Sequence, residues 1–209
     1  MKSTKVILVT PDDPETEAIE EAAQILRAGG LVAFPTETVY GLAAVYGDEA
    51  AVNRLYEVKQ RPGHKPFAML ISDEKMMEDT GVYVPPAAKA LMDRFWPGPL
   101  TIILKAKEKG KTIAFRMPDN KIARELVGAA GAPLAAPSAN MSGSPSPVTA
   151  EDVLNDLGGR IDAVIDGGRT RIGVDSTIVD ASGPLLRIVR KGAVSGEALK
   201  SVCLAAIEG

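Results

Sequence analysis

The sequence has almost none of the residues that build metal cages or covalent staples. Its 209 residues include one cysteine, Cys203, and one histidine, His64. No disulfide can form within the chain, and neither a Cys-rich zinc site nor a two-His metal motif can be assembled. Aromatic residues make up 4% of the chain, few for stacking on nucleic-acid bases. No stretch reaches the roughly 18 consecutive apolar residues of a membrane span, and the N-terminus lacks the pattern of a secretory signal. These absences point to a reduced, cytoplasmic protein with no membrane partner. The phosphate-binding pattern G-x-x-x-x-G-K-[ST] is missing too. There is no internal repeat, low-complexity tract or linker, so one domain is expected over residues 1–209.

What is present suits a packed α/β core: 45% of the residues are hydrophobic and 24% charged, with a net charge of -3. A coat for nucleic acid would usually be basic, so the bulk charge disfavours that class without excluding a local basic patch. Periodicity predicts helices over Thr16–Ala28, Glu49–Lys59, Pro86–Phe95, Ile122–Ala130, Glu151–Leu157 and from Glu197 to about Ala206. Asp48, Thr149 and Ser195 can cap three of them. Strands are predicted at Lys5–Val9, Leu31–Phe34, Phe67–Ile71, Leu100–Leu104, Thr112–Met117, Leu134–Ala136, Ala163–Ile165, Ser176–Val179 and Leu185–Val189. Several of these strands are joined by short turns, which implies a mixed sheet. Trp96 reads as a packing residue beside its turn, and Cys203 as a core residue of the last helix.

Three segments concentrate chemistry. Pro35 to Leu42 (Pro-Thr-Glu-Thr-Val-Tyr-Gly-Leu) places two hydroxyls, a carboxylate and a phenol after a strand. Small hydroxyls can bond an amine or a carboxylate; a Thr-rich turn would have the same composition. Lys59 to Pro66 holds Lys59, Arg61, Lys65 and His64 in a loop stiffened by Pro62 and Pro66. Forked Arg donors and mobile Lys charges suit phosphate, although a solvated basic loop would look similar. Pro137 to Ser144 (Pro-Ser-Ala-Asn-Met-Ser-Gly-Ser) is dense in hydroxyls and amide, as in a phosphate or ribose cradle or a plain surface loop. Arg116, Ser176 and Arg190 stand at strand ends, where polar groups line clefts.

Taken in order, Pro-Thr-Glu-Thr-Val-Tyr-Gly-Leu, Lys-x-Arg-Pro, Lys-Pro, Arg-x-Pro, Pro-Ser-Ala-Asn-x-Ser-Gly and Ser-Thr-Ile-Val-Asp resemble the signature of the YrdC-type family. The match runs from about Leu26 to Ala193, within a motif-bearing core of about residues 16–193. The resemblance implies an α/β fold of the YrdC/RibB-like kind, a twisted mixed sheet flanked by helices with an electropositive concave cavity. It also implies L-threonylcarbamoyladenylate synthase activity: L-threonine, bicarbonate and ATP give threonylcarbamoyl-AMP and pyrophosphate, with Mg2+ accompanying ATP. The product would pass to the tRNA threonylcarbamoyl-transfer machinery, which modifies the adenosine beside the anticodon.

Carried over by motif position, Arg61, Lys65, Thr112, Ser138, Asn140, Ser146 and Arg190 would contact ATP. Thr38, Arg116, Ala136 (through its backbone) and Ser176 would contact threonine. Lys59, Arg61 and Arg116 would serve catalysis, with no metal held by the protein alone; Glu37 and His64 are candidates for a general base. The sequence departs from many relatives at Leu70, where His is common, and at Ala43, where Gly is common. It also implies a short form without an additional C-terminal domain. Lys65-Pro66-Phe67-Ala68 is similar as well to the YrdC-like domain of the hydrogenase-maturation carbamoyltransferase, which implies carbamoyl phosphate as an alternative substrate. A third expectation is RNA binding, double-stranded RNA included, on the basic concavity.

Overall fold

The computed structural model describes residues 3–61, 66–202 and 207–208. In chain order the elements are β1 (Lys5–Leu8), α1 (Thr16–Arg27), β2 (Val32–Phe34), β3 (Gly41–Val45), α2 (Glu49–Lys59), β4 (Met69–Leu70) and α3 (Glu74–Glu78). There follow β5 (Val82–Tyr83), α4 (Pro86–Phe95), β6 (Leu100–Ala106), β7 (Thr112–Arg116), α5 (Lys121–Ala130) and β8 (Leu134–Ala135). The last are α6 (Ala150–Leu157), β9 (Ala163–Asp166), β10 (Thr177–Asp180), β11 (Leu186–Arg190), α7 (Gly196–Val202) and β12 (Ile207–Glu208). The strands run in the order β1-β9-β2-β3-β8-β4-β7-β6-β10-β11-β12, with β5 paired to β6. The sheet is mixed, as expected: β1 and β2 are parallel to β9, β4 to β7 and β10 to β6, while β6 and β7 are antiparallel.

The apolar pattern explains the layering. Along β2, Val32 and Phe34 enter one core with α1 and α5, whereas Leu31 and Ala33 enter another with α2 and α6. Successive side chains of a strand point to opposite faces, so a strand covered on both faces reads as a continuous apolar run. The other half of the sheet is covered on one face only. There Leu100, Ile102 and Leu104 of β6 and Phe115 of β7 pack against Leu91 and Met92 of α4 and Leu199 of α7. The alternate residues Thr101, Ile103, Ala114 and Arg116 face a cleft instead.

The expected caps form. The Asp48 side chain accepts from Ala51 N, Ser195 Oγ accepts from Ala198 N, and Thr149 makes a reciprocal capping box with Asp152. Trp96 is half-buried and donates from its indole to the Leu100 carbonyl at 2.7 Å, which ties down the turn beside it.

Four elements were not expected: β3, α3, β5 and β12. The residues of β3, Gly-Leu-Ala-Ala-Val, have little intrinsic strand preference; antiparallel pairing to β2 and β8 makes the segment a strand. The last helix ends among the described residues at Val202; the expected extension to about Ala206, with Cys203, lies outside them.

Candidate active site

The uncovered face of the sheet forms the floor of a cleft of about 220 Å³. Among the described residues, three arginines (Arg61, Arg116 and Arg190) and one carboxylate, Asp175, line it. The lining thus carries more basic than acidic side chains.

One end of the cleft is buried. Arg116 closes β7 and donates from Nη2 to Thr38 Oγ1 at 2.8 Å, and more weakly to Thr36 Oγ1 at 3.4 Å. The same nitrogen lies 2.8 Å from Glu37 Oε2, with side-chain exposures of 9% for Arg116 and 1% for Glu37. Neither Glu37 oxygen has a hydrogen bond of ordinary geometry, so this close contact is an ion pair without directional bonding. Thr36 Oγ1 donates to the Val39 carbonyl at 2.7 Å and holds the Thr-Glu-Thr turn closed. Tyr40 is fully buried and donates to the Gly168 carbonyl at 2.6 Å, and burial pushes its phenol pKa up. The Thr-rich segment is thus a rigid scaffold for one guanidinium.

The neighbouring stretch of the wall, reached through Thr101 and Ser176, is more open. Arg190, at the end of β11, donates from Nε and Nη2 to the Ser176 carbonyl at 3.0 and 2.8 Å, and from Nη2 to Ser176 Oγ at 3.0 Å. Ser176 Oγ shares a 2.8 Å hydrogen bond with Thr101 Oγ1. Partial burial lowers the Arg190 pKa; Asp175 opposes that shift, while the charges of Arg116 and Arg61 reinforce it. Such convergence of like charges marks a place for an anion. A Cβ on Gly192 would lie 2.3 Å from the Asp175 carbonyl oxygen, so only glycine allows this approach of β11's exit to the Asp175–Ser176 backbone. Arg61 is half-buried, stands over the Phe67 ring at 5.1 Å and donates to the Pro66 carbonyl at 3.4 Å.

The third wall is the loop after β8. Ser138 lines the cleft and donates from Oγ to Asn140 Oδ1, while Asn140 Nδ2 donates to the Ser144 carbonyl at 2.6 Å. Lys59 is buried and donates to the carbonyls of Ser138 and Asn140 and, at 3.3 Å, to Asn140 Oδ1. Burial, reinforced by Arg61, lowers its pKa to about 8.

The structure therefore corrects several expected placements. Lys59 does not line the cleft; its amine is spent on the loop that carries Ser138, so it positions that loop. Thr38 and Asn140 also lie behind the surface, bonded to Arg116 and Ser138 respectively, while Ser146 is half-buried beside the cleft and donates to Asp175. Thr112 is exposed and lines a neighbouring hollow beyond Ile103 and Ala114. Ala136 lines the cleft, but its N–H is taken by the Ala68 carbonyl, which leaves its own carbonyl for a ligand. Glu37 is sealed beneath Arg116 and does not reach the cleft as a base would. Lys65 and His64 lie outside the described residues. Sequence reasoning passed over Thr101 and Asp175. The signals for them were a hydroxyl alternating with apolar residues along β6 and an acid directly before Ser176.

A family model described as telomere recombination, Sua5/YciO/YrdC, matches residues 24–192. The chain belongs to that family. The threonylcarbamoyl-AMP synthase of Bacillus subtilis is 43% identical over 93% of this chain and 58% of its own length. A crystal structure of Pyrococcus abyssi Sua5 complexed with L-threonine superimposes with a TM-score of 0.92, at 42% identity, over 98% of this chain and 63% of that one. Escherichia coli YciO has a TM-score of 0.85 at 28% identity, over 94% of this chain and 99% of that one. The chain thus carries the Sua5/YciO/YrdC fold and spans less than two thirds of the length of its Bacillus and Pyrococcus relatives. Nothing in these comparisons supports double-stranded RNA binding. No helix among the described residues is long and apolar enough to cross a membrane.

Proposed function

We propose that this chain joins L-threonine, bicarbonate and ATP into threonylcarbamoyl-AMP with release of pyrophosphate, within one domain spanning the motif-bearing core. The product would serve the threonylcarbamoyl modification of the tRNA adenosine beside the anticodon. The observation that carries the reading is a single cleft lined by arginines of two unlike kinds: a buried Arg116 held by Thr38 and Glu37, and the more open Arg61 and Arg190. A lone rigid guanidinium suits one carboxylate, and separated arginines suit a polyphosphate. Kinship with proteins named threonylcarbamoyl-AMP synthase, and with one crystallised with L-threonine, supports the same assignment.

In this reading Arg116 fixes the carboxylate of threonine, with Thr38 setting the guanidinium's orientation. The threonine amine captures bicarbonate as a carbamate, releasing water. A carbamate oxygen then attacks the α-phosphorus of ATP, and the bond to pyrophosphate breaks. Arg61, Arg190 and Lys65 offset the charge that builds on the leaving group. Ser138, held by the Lys59-braced loop, faces the nucleotide. Holding two substrates in one cleft replaces an improbable encounter in solution.

Magnesium is expected with ATP, and the donors present suit it only in the form that travels with phosphate. Among the described residues no group of three or more Asp, Glu, His or Cys assembles a cage, but the Asp175 carboxylate in the cleft wall and the Ser146 hydroxyl bonded to it are hard oxygen donors. There the ion would neutralise phosphate charge.

The test is pyrophosphate release from ATP, with magnesium and bicarbonate, in the presence and absence of L-threonine. Threonine-dependent release is expected, and equal release in both arms rejects the assignment. Replacing threonine by carbamoyl phosphate in the same assay separates this activity from carbamoyl-adenylate formation.

A further inference from the structure

We infer that Asp175 is the protein's own contact for the divalent cation that accompanies ATP. The inference rests on the reading of Arg61 and Arg190 as the ATP end of the cleft.

A carboxylate is out of place beside a polyphosphate. Two like charges that close repel, and the more so where the protein surface displaces water. Asp175 is the only acidic residue among the described residues that line the cleft, and its side chain is 36% exposed. Its role as a counter-ion is weak, since Arg190 Nη1 stands 3.8 Å from Asp175 Oδ2. Arg190 is already fixed by three shorter hydrogen bonds to Ser176 and does not need Asp175 to hold it. The other partner is the Ser146 hydroxyl, poised between the two carboxylate oxygens at 3.2 and 3.3 Å. Glu37, by contrast, is buried with an arginine at 2.8 Å. Asp175 thus keeps lone pairs toward the cleft while its backbone is locked by the close approach of Gly192 and by the Ala193 N–H to Asp175 carbonyl bond at 2.9 Å.

Magnesium supplies the reason to keep such a group. It retains most of its water and typically binds through one or two carboxylates plus substrate phosphates, so a single well-placed aspartate, aided by Ser146, suffices. A cation between Asp175 and the phosphates turns the repulsion into a bridge. The same site would discriminate the magnesium complex of ATP from the free tetra-anion.

Calorimetry of the whole chain against ATP with magnesium, and against ATP with EDTA, tests this. Asp175→Asn preserves size and the acceptor for Ser146. It should weaken the magnesium complex about tenfold, as loss of a metal-supporting group typically does, while metal-free ATP binds as well as before or more tightly. Asp175→Glu should retain a preference for the magnesium complex. If Asp175→Asn weakens both forms by the same factor, Asp175 serves only to hold Arg190 or the loop, and the inference is overturned. It is overturned as well if neither affinity moves. If the unaltered protein binds neither form, the ATP reading itself fails.

Discussion

The buried and the open parts of the cleft wall use the same residue, arginine, in opposite ways. Arg116 is buried, touches a carboxylate at 2.8 Å and two threonine hydroxyls, and has one orientation. Arg190 is anchored along one edge, leaves Nη1 only loosely paired with Asp175, and is more exposed. A desolvated guanidinium acts strongly but demands a counter-charge beneath it. A half-exposed one acts more weakly, is screened by salt, and tolerates ligands of several shapes. The difference teaches that one donor type can suit a small fixed ligand or a flexible polyphosphate, the pair proposed above, through its surroundings alone.

The largest expected effect would break the buried end. Glu37→Gln leaves the Arg116 charge buried without its partner, and removing one member of a buried pair typically costs about 3–5 kcal/mol. Urea denaturation should show a loss of that order; a loss below about 1 kcal/mol would mean the pair is solvated after all. At the open end, Arg61→Ala removes charge-assisted contacts worth roughly 1.5–3 kcal/mol each. ATP should bind about tenfold more weakly, or worse, with threonine nearly unaffected in calorimetry. Equal losses for both ligands would erase the distinction between the ends.

A pH titration probes the wall between them. The Lys59 amine, lowered to about 8 from its ordinary 10.5, loses its proton in the folded protein while the unfolded chain still holds one. Between those values rising pH therefore favours the folded state as far as this group is concerned. The neutral amine nevertheless loses charge-assisted bonds to the Ser138 loop. ATP affinity should fall through pH 8 without a matching drop in the denaturation midpoint, and Lys59→Met should lack that step. The smallest effect sharpens the comparison: raising salt from about 0.05 to 0.5 M should weaken ATP several-fold and threonine hardly at all.

Much of this could be read along the chain. The helices with strong apolar periodicity, the caps at Asp48, Thr149 and Ser195, and the mixed sheet all follow from local chemistry. The elements missed were β3, α3, β5 and β12, which are short or held by pairing partners distant in sequence. The site was legible as ordered motifs, but the roles within it were not. Lys59 and Arg61 are two residues apart, yet one faces inward to brace a loop and the other lines the cleft. Glu37, between two hydroxyls, looked like a base and is instead sealed under Arg116.

By itself the sequence determined which residue types were available and in what order: a cationic loop, two hydroxyl-rich turns and arginines at strand ends, because motif identity and helical or strand period are properties of neighbours along the chain. Only the tertiary structure decided that Arg116, Thr38 and Glu37 meet in one cluster and that Arg190, Ser176 and Asp175 meet in another along the same cleft. Those groups come from strands and loops up to 80 residues apart in hydrogen-bonded pairs such as Arg116 and Thr36. Burial, which turns an exposed charge into a positioned one, is a property of packing and not of spacing.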